Sequence, residues 1–432
     1  MEQQNTKKYR VGVISLLITA TIINSFDRAS LSIAAPFIIK EFGIDTAVMG
    51  IALSAFFSTY VIGNLFGGML VDKYGAKKVL GASVAIWSVF SGLTGFAQNV
   101  THIVLARLGV GMGEGPSFPC VAKVIGGNFP TEEKGTAIGT NAAGARIGLA
   151  ICPIVMVFLI TTWGWRVAFF ITGFGALAWC ALWMMFFTDL SQVSAAKGGG
   201  NVKAEKIKWT VLLRNRAILG LIVVKFTQDF LQWMFLTWIP AYLVSGRGFS
   251  VVEMGFYTSL AFGVAAVAQP CIGFLSDWLI RAGWSINQAR KTVQVGLQLF
   301  SATIIITGIS DNPGIAIFFM VLAISAESTC AGHIWTIFTD IIPSSHIGSV
   351  SGLVNAIGAI AGIISPILTG VIVKVTGNFQ LALMIGGCSI LIASVFLLFV
   401  VPSLNEPWYE QLGLKKPEKD PSHGAALASA TA

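Results

Sequence analysis

Charge is what this chain has least of. Of its 432 residues only 11% are Asp, Glu, Lys or Arg, while 55% are hydrophobic; a soluble domain carries about 25% charged residues. Mean hydropathy is +0.77. A compact fold of this composition cannot be solvated by water, but lipid accepts it. Metal-ligand spacing is missing as well. The chain has 4 histidines, and its 6 cysteines lie in apolar runs with no C-x-x-C pair, so neither a metal site nor a disulfide framework is indicated. Serines and histidines are scattered without a nucleophile–base constellation, which argues against an enzyme. The apolar stretches are continuous rather than alternating in period-two segments of about ten residues, which makes a large β-barrel a poor alternative. Gly109, Gly111, Gly113 and Gly115 do not form a nucleotide fingerprint, since no strand precedes them.

What is present is a series of continuous apolar runs. A bilayer-spanning helix needs about 20 mostly apolar residues. Twelve spans are expected, at 11–39, 47–71, 79–98, 101–127, 135–161, 166–188, 216–245, 252–280, 290–309, 314–340, 347–375 and 379–401. The chain therefore reads as residues 1–188 forming a six-helix bundle, 189–215 a cytoplasmic linker, 216–402 a second six-helix bundle and 403–432 a disordered cytoplasmic tail. Lys7-Lys8-Tyr9-Arg10 before an apolar run imitates a signal peptide, but the run continues through Asp27-Arg28 to Ile39 with no cleavage site.

The net charge of +8 raises nucleic acid or an acidic membrane surface as partners, but topology explains it better. With the N-terminus in the cytoplasm, nineteen Lys and Arg fall in inner segments and four, Lys40, Arg166, Arg247 and Lys374, in outer loops. That asymmetry puts both termini inside. Five cations, Arg28, Arg107, Lys123, Arg146 and Lys225, remain within spans.

The two halves look like copies. Gly135-x-x-x-Gly139 precedes Pro153 in span five, and Gly348-x-x-x-Gly352 precedes Pro366 at the same offset in span eleven. Gly68-x-x-x-Asp72 after span two matches Gly273-x-x-x-Asp277 after span eight. Small residues at this spacing also serve close helix packing; the repeated offset is the stronger signal. The loop after span two, Gly68-M-L-V-Asp72-Lys73-Y-Gly75-A-Lys77-Lys78, resembles the signature of the major facilitator superfamily. That resemblance implies an all-α membrane protein of twelve helices in two pseudo-symmetric six-helix bundles. Gly68, Asp72 and Lys73 are candidate gating residues. Asp72, at the cytoplasmic end of a helix, can pair with cations and cap a neighbouring helix N-terminus, while the lysines also fit simple positive-inside anchoring.

Charges at the bilayer centre cost about 3 kcal/mol on insertion scales and face a cavity or a partner. Asp27-Arg28 stand mid-span in helix one; Arg107 and Glu114 stand in helix four, seven residues apart and so on one face. Arginine suits an anion through paired hydrogen bonds, and a carboxyl in low dielectric suits a proton. Those are the parts of a proton–anion symporter. The alternative is a structural network in which the acids only neutralise the arginines.

Asp27-Arg28, the run from Arg107 through Glu114 to Pro119, and Phe235-Leu236-Thr237-Trp238-Ile239-Pro240-Ala241-Tyr242-Leu243 resemble the anion:cation symporter family, most closely its bacterial galactonate- and hexuronate-type permeases. The likeness runs from about residue 10 to 401. It implies that Arg28 and Arg107 contact a substrate carboxylate, that Asp27 and Glu114 take up protons with Glu114 as coupling residue, and that Tyr60, Trp335 and Asn355 line a sugar-acid site. It also implies a multi-pass protein of the bacterial inner membrane, working as a monomer, with protons and a small organic anion as partners and no cofactor, metal or nucleic acid.

Several positions depart from that family's pattern. Arg146 has no sequence-near acid; a second anionic contact there favours a diacid, a uronate or a sulfonate. Lys225 and Asp229 form an i,i+4 pair that cancels its own charge. Glu327 and His333 stand in span ten, and Lys123 snorkels toward the cytoplasm. The expectation is proton-coupled import of an aldonate, hexuronate or aldarate by alternating access. The alternatives are an organophosphate/phosphate-type antiporter, or a symporter of an aromatic carboxylate, dicarboxylate or sulfonate. A non-transporting sensor is disfavoured because linker and tail are short for a signalling domain.

Overall fold

The structure, a computed structural model, describes residues 7–188, 216–341 and 347–405. The expected linker at 189–215 and nearly all of the expected tail lie outside the described residues. The first half comprises α1 (Lys7–Phe42), α2 (Thr46–Tyr74), α3 (Ala76–Leu93), α4 (Val100–Glu114), α5 (Ser117–Asn128), α6 (Thr131–Phe169) and α7 (Gly175–Phe186). The second comprises α8 (Arg216–Ala241), α9 (Val251–Arg281), α10 (Ile286–Ala302), α11 (Ile304–Ile309), α12 (Pro313–Ile341), α13 (Ile347–Thr376) and α14 (Gln380–Val395). Among the described residues there is no strand.

Among the described residues ten helical stretches are long and apolar enough to cross a membrane. Two local features relate these ten to the twelve expected crossings. The expected span 101–127 is broken into α4 and α5 around Gly115-Pro116, where Pro116 and Pro119 each remove a backbone donor. Spans five and six are two helices that meet at a kink inside α6, where Gly164 at φ +84° and ψ 160° leaves the helical conformation; an L side chain there would be strained. Polar caps start the helices at both membrane faces. Asp45 accepts from the Val48 N–H at 2.9 Å, and Ser250–Glu253 and Ser285–Gln288 form capping boxes.

Three helix pairs join the halves: α2 on α13, α6 on α9, and α1 on α8. Under the repeat, span two corresponds to span eight and span five to span eleven, so the first two pairs are copies and the third is its own copy. With no hydrophobic drive between helices in lipid, small residues let backbones approach. A Cβ on Gly50 would lie 2.5 Å from the Pro366 carbonyl oxygen, and one on Gly255 would lie 2.8 Å from Val157.

Within the first half, Gly144 and Gly148 of α6 press on α1 at Ile18 and Ile22, whereas Gly139 of the repeated motif has open space around its Cα. At the face away from the N-terminus the halves are bonded together. Asp45 pairs with Lys374 at 2.8 Å, and the Thr46 hydroxyl donates to the Gly370 carbonyl at 2.8 Å. Among the described residues one further hydrogen bond crosses the divide, from Arg146 Nε to Gln269 Oε1 at 2.9 Å.

Candidate functional site

The break after Glu114 fixes the end of α4 deep in the first half. Gly111 and Gly115 let α2 close on it, since a Cβ at either would collide with the α2 backbone at Phe56 or Gly63. That approach puts Phe56 and Tyr60 of α2 beside the charged residues of α1 and α4. Arg28 Nε donates to Glu114 Oε2 at 2.7 Å. The Arg28 guanidinium lies 4.8 Å from the Tyr60 ring centroid and 5.3 Å from that of Phe56, and the Arg107 guanidinium lies 5.2 Å from the Phe56 centroid. Such cation–π contacts contribute about 0.5–2 kcal/mol each.

Arg107 Nη1 stands 3.7 Å from Asp27 Oδ2, an ion pair too long for a hydrogen bond, while the Ser91 hydroxyl of α3 donates to the other Asp27 oxygen. The seven-residue spacing of Arg107 and Glu114 thus does put both on the α1 side of α4, but each faces a partner on α1 rather than the other. The acids do neutralise the arginines, as the structural alternative had it, yet incompletely. Asp27 Oδ2, Glu114 Oε1 and Arg107 Nε and Nη1 are buried with no hydrogen-bond partner. Each such orphan costs about 1–3 kcal/mol. The cluster therefore holds capacity for a proton, a water or an anionic oxygen.

Access differs among the four. The Glu114 side chain is wholly enclosed and that of Arg107 is 4% exposed, whereas that of Arg28 is 20% exposed. Asp27 lines a cavity of about 270 Å³ between α1, α3 and the turn Phe170–Phe174. Arg28 leads outward along Tyr60, whose hydroxyl accepts from Asn64 at 3.5 Å. Tyr60 and Asn64 share a small crevice with Asn355 and Ala359 of α13 at the divide between the halves. Asp27, Arg28, Arg107, Glu114, Tyr60 and Asn355 are thus joined in one chain of neighbours. Trp335 of α12 has Lys225 Nζ 6.0 Å from its ring.

Of the expected gating residues, Asp72 pairs with a cation, Lys123, at 2.8 Å, and Lys123 also donates to the Val71 carbonyl. Lys123 is therefore a partner for Asp72 rather than a free snorkelling cation. Lys73 lies over the Tyr74 ring. Gly68 meets nothing; the neighbouring Gly67 is the one pressed on Pro116. In the second half Asp277 and Asp340 share Arg290, each at 2.9 Å.

The remaining departures resolve as follows. Lys225 and Asp229 are bonded to each other, as the i,i+4 spacing predicts. His333 is buried and shares a hydrogen bond with Gln294 at 2.8 Å. Arg146 does have an acid within electrostatic reach, Glu327 of α12. Sequence reasoning missed Ser91, Asn64, Phe56 and Gln269. For the polar three, their place inside apolar spans was the available signal; Phe56 carried none.

Two copies of a helical half, joined through equivalent helix pairs around charge held at depth, define a membrane carrier rather than a channel of a single bundle. The family model of the Major Facilitator Superfamily matches residues 17–366. The hexuronate transporter of Bacillus subtilis (strain 168) is 32% identical over 410 residues, covering 93% of this chain and 97% of that protein. The probable galactarate/D-glucarate transporter GudP of the same organism is 32% identical, covering 95% of this chain and 94% of its own. In fold, the chain matches the inward-facing, occupied crystal structure of a bacterial homologue of the human lysosomal transporter Spinster, with a TM-score of 0.73, 19% identity, and 92% and 96% coverage. The chain belongs to the Major Facilitator Superfamily, and it is a transporter.

Proposed function

We propose that this transporter carries a sugar acid, an aldonate, hexuronate or aldarate, into a bacterial cell together with protons, by alternating access. The relatives named for hexuronate and for galactarate/D-glucarate support the substrate class. The observation that carries the coupling is the Arg28–Glu114 pair at 2.7 Å, with Arg28 reaching the partly open side and the second Glu114 oxygen unbonded. A carboxylate from solution competes with Glu114 for Arg28. A proton on Glu114 removes that competition, so anion and proton favour each other's binding. Arg107, deeper, holds Asp27 and the positive potential behind Arg28. Tyr60, Asn355 and Trp335 offer aromatic faces and an amide to a polyhydroxylated chain.

Lysine and arginine asymmetry puts the face where α1 begins in the cytoplasm. The bonds at Asp45–Lys374 and Thr46–Gly370 then close the outer side, so the state is one from which substrate leaves inward. Asp72–Lys123 and the Asp277–Arg290–Asp340 set stiffen the cytoplasmic ends within each half, and Gly68 and Lys73 belong to the same loop. The protein acts as a monomer in the inner membrane with both termini inside.

The test uses purified protein in lipid vesicles with an imposed inward proton gradient. Labelled glucuronate or glucarate accumulates, and dissipating the gradient stops accumulation. Accumulation that ignores the gradient but follows preloaded phosphate contradicts symport and favours the organophosphate-type antiporter.

A further inference from the structure

The second half contains a charged group that the reading above leaves idle. Glu327 of α12 is 0% exposed, and neither of its carboxylate oxygens has a hydrogen-bond partner. Ser301 of α10 lies beside it, but that hydroxyl donates to the Leu297 carbonyl at 2.8 Å. The other groups within reach are Lys225 and Asp229 of α8, bonded to each other, and Arg146 of α6, which comes from the opposite half. On the far side Cys330 and His333 of α12 are held by Gln294 at 2.9 and 2.8 Å.

Arg146 spends only its Nε, on Gln269. Its two terminal nitrogens have no hydrogen-bond partner among the described residues. Gln269 is itself wedged against Gly332 of α12, so Arg146 is held at the seam between halves. The arrangement has two fixed cations, Lys225 and Arg146, one bonded acid, Asp229, and one unbonded acid, Glu327. With Glu327 ionised the set is neutral; with Glu327 protonated it carries one positive charge. An ionised carboxylate enclosed without a donor is costly, and Arg146 with both terminal NH2 groups unused is an incomplete anion clamp.

We propose that Glu327, Arg146 and the Lys225–Asp229 pair form a second, proton-dependent anion subsite, which takes the far acidic group of a substrate acidic at both ends. This rests on the symport reading and narrows it to dianions such as aldarates. The proton adds to a Glu327 oxygen from one side of the membrane and leaves to the other. No bond of the substrate changes. Each negative charge of the anion then travels with its own proton, one at each half.

The experiment compares glucarate, with two carboxylates, and glucuronate, with one, in vesicles containing wild type, Glu327→Gln or Arg146→Gln. Proton entry per anion is read with an internal pH dye. Wild type brings in one more proton with glucarate than with glucuronate, and Glu327→Gln loses that extra proton. Arg146→Gln raises the half-saturation for glucarate about tenfold more than that for glucuronate, as loss of a charged hydrogen bond implies. An unchanged proton ratio in Glu327→Gln, or parallel losses for both anions, overturns the subsite. Infrared spectra of the purified protein without substrate keep this separate from the symport reading. A carboxylic-acid C=O band that disappears in Glu327→Gln supports a proton there even if no sugar acid is moved. An identical band in both proteins rules it out.

Discussion

The two halves hold buried charge in different ways. In the first, every pair joins two helices: Asp27 of α1 faces Arg107 of α4 and Ser91 of α3, and Glu114 of α4 faces Arg28 of α1. In the second, Lys225 and Asp229 face each other one turn apart on α8, and Glu327 stands unbonded. A pair within one helix survives any movement of that helix against its neighbours. A pair between helices is remade or broken by shifts of an ångström. Cross-helix pairs therefore link charge state to helix position, whereas an i,i+4 pair links it only to local helicity.

That contrast can be broken most sharply at Lys225. Lys225→Ala leaves Asp229 enclosed and unpaired, which costs about 3–5 kcal/mol and shows as a large fall in thermal stability. The double variant with Asp229→Ala recovers most of that loss and still carries glucuronate. A double variant as unstable as the single one contradicts a self-contained pair. In the first half the loss is expected in binding instead. Arg28→Ala weakens glucuronate binding about 100-fold, the range for truncating a buried charged contact, and isothermal titration measures it. Undiminished binding removes the anion clamp.

A smaller effect separates glycines that pack from those that do not. Gly111→Ala drives a Cβ into the Phe56 carbonyl and Thr59 and costs about 1–3 kcal/mol. Gly139→Ala, with open space around it, stays within about 0.5 kcal/mol. Denaturation in detergent compares the two, and equal losses would undo the assignment of α2–α4 contact to Gly111.

The smallest effect lies at the outer seal. The Lys374 ammonium beside Asp45, together with the Val48 N–H, holds the Asp45 carboxyl below its ordinary pKa, about 3.9. The pair's contribution is then complete above that ordinary value and is lost as pH falls through the lowered one. Spin-label distances between the outer ends of α2 and α13 stay short at neutral pH and lengthen in strong acid. In Asp45→Asn they lengthen slightly at all pH. Distances indifferent to both changes mean that the seal rests on Gly50 and Gly370 packing alone.

Much of this was legible beforehand. Continuous apolar runs marked the membrane helices, and Asp27-Arg28, Arg107 and Glu114 announced themselves as charges where lipid tolerates none. The spacing of Lys225 and Asp229 specified their pairing, because both lie on one helix. Partners on different helices were not readable. The seven-residue interval of Arg107 and Glu114 fixed a face but not what that face meets, and Lys123 with Asp72 needed α2 and α5 to be placed together. Arg146 and Glu327 are 181 positions apart in the chain, and only the α6–α9–α12 packing brings them within reach. The helix break at Gly115-Pro116 was likewise hidden, since hydropathy is blind to backbone angles.

The most direct measurement concerns Glu114. Glu114→Gln in vesicles keeps the hydrogen bond to Arg28 in reach but holds no titratable proton. Exchange of labelled for unlabelled glucuronate across the membrane continues, while accumulation driven by a proton gradient ceases. Accumulation at the wild-type level in that variant means the proton rides elsewhere, and the Arg28–Glu114 contact is then structural.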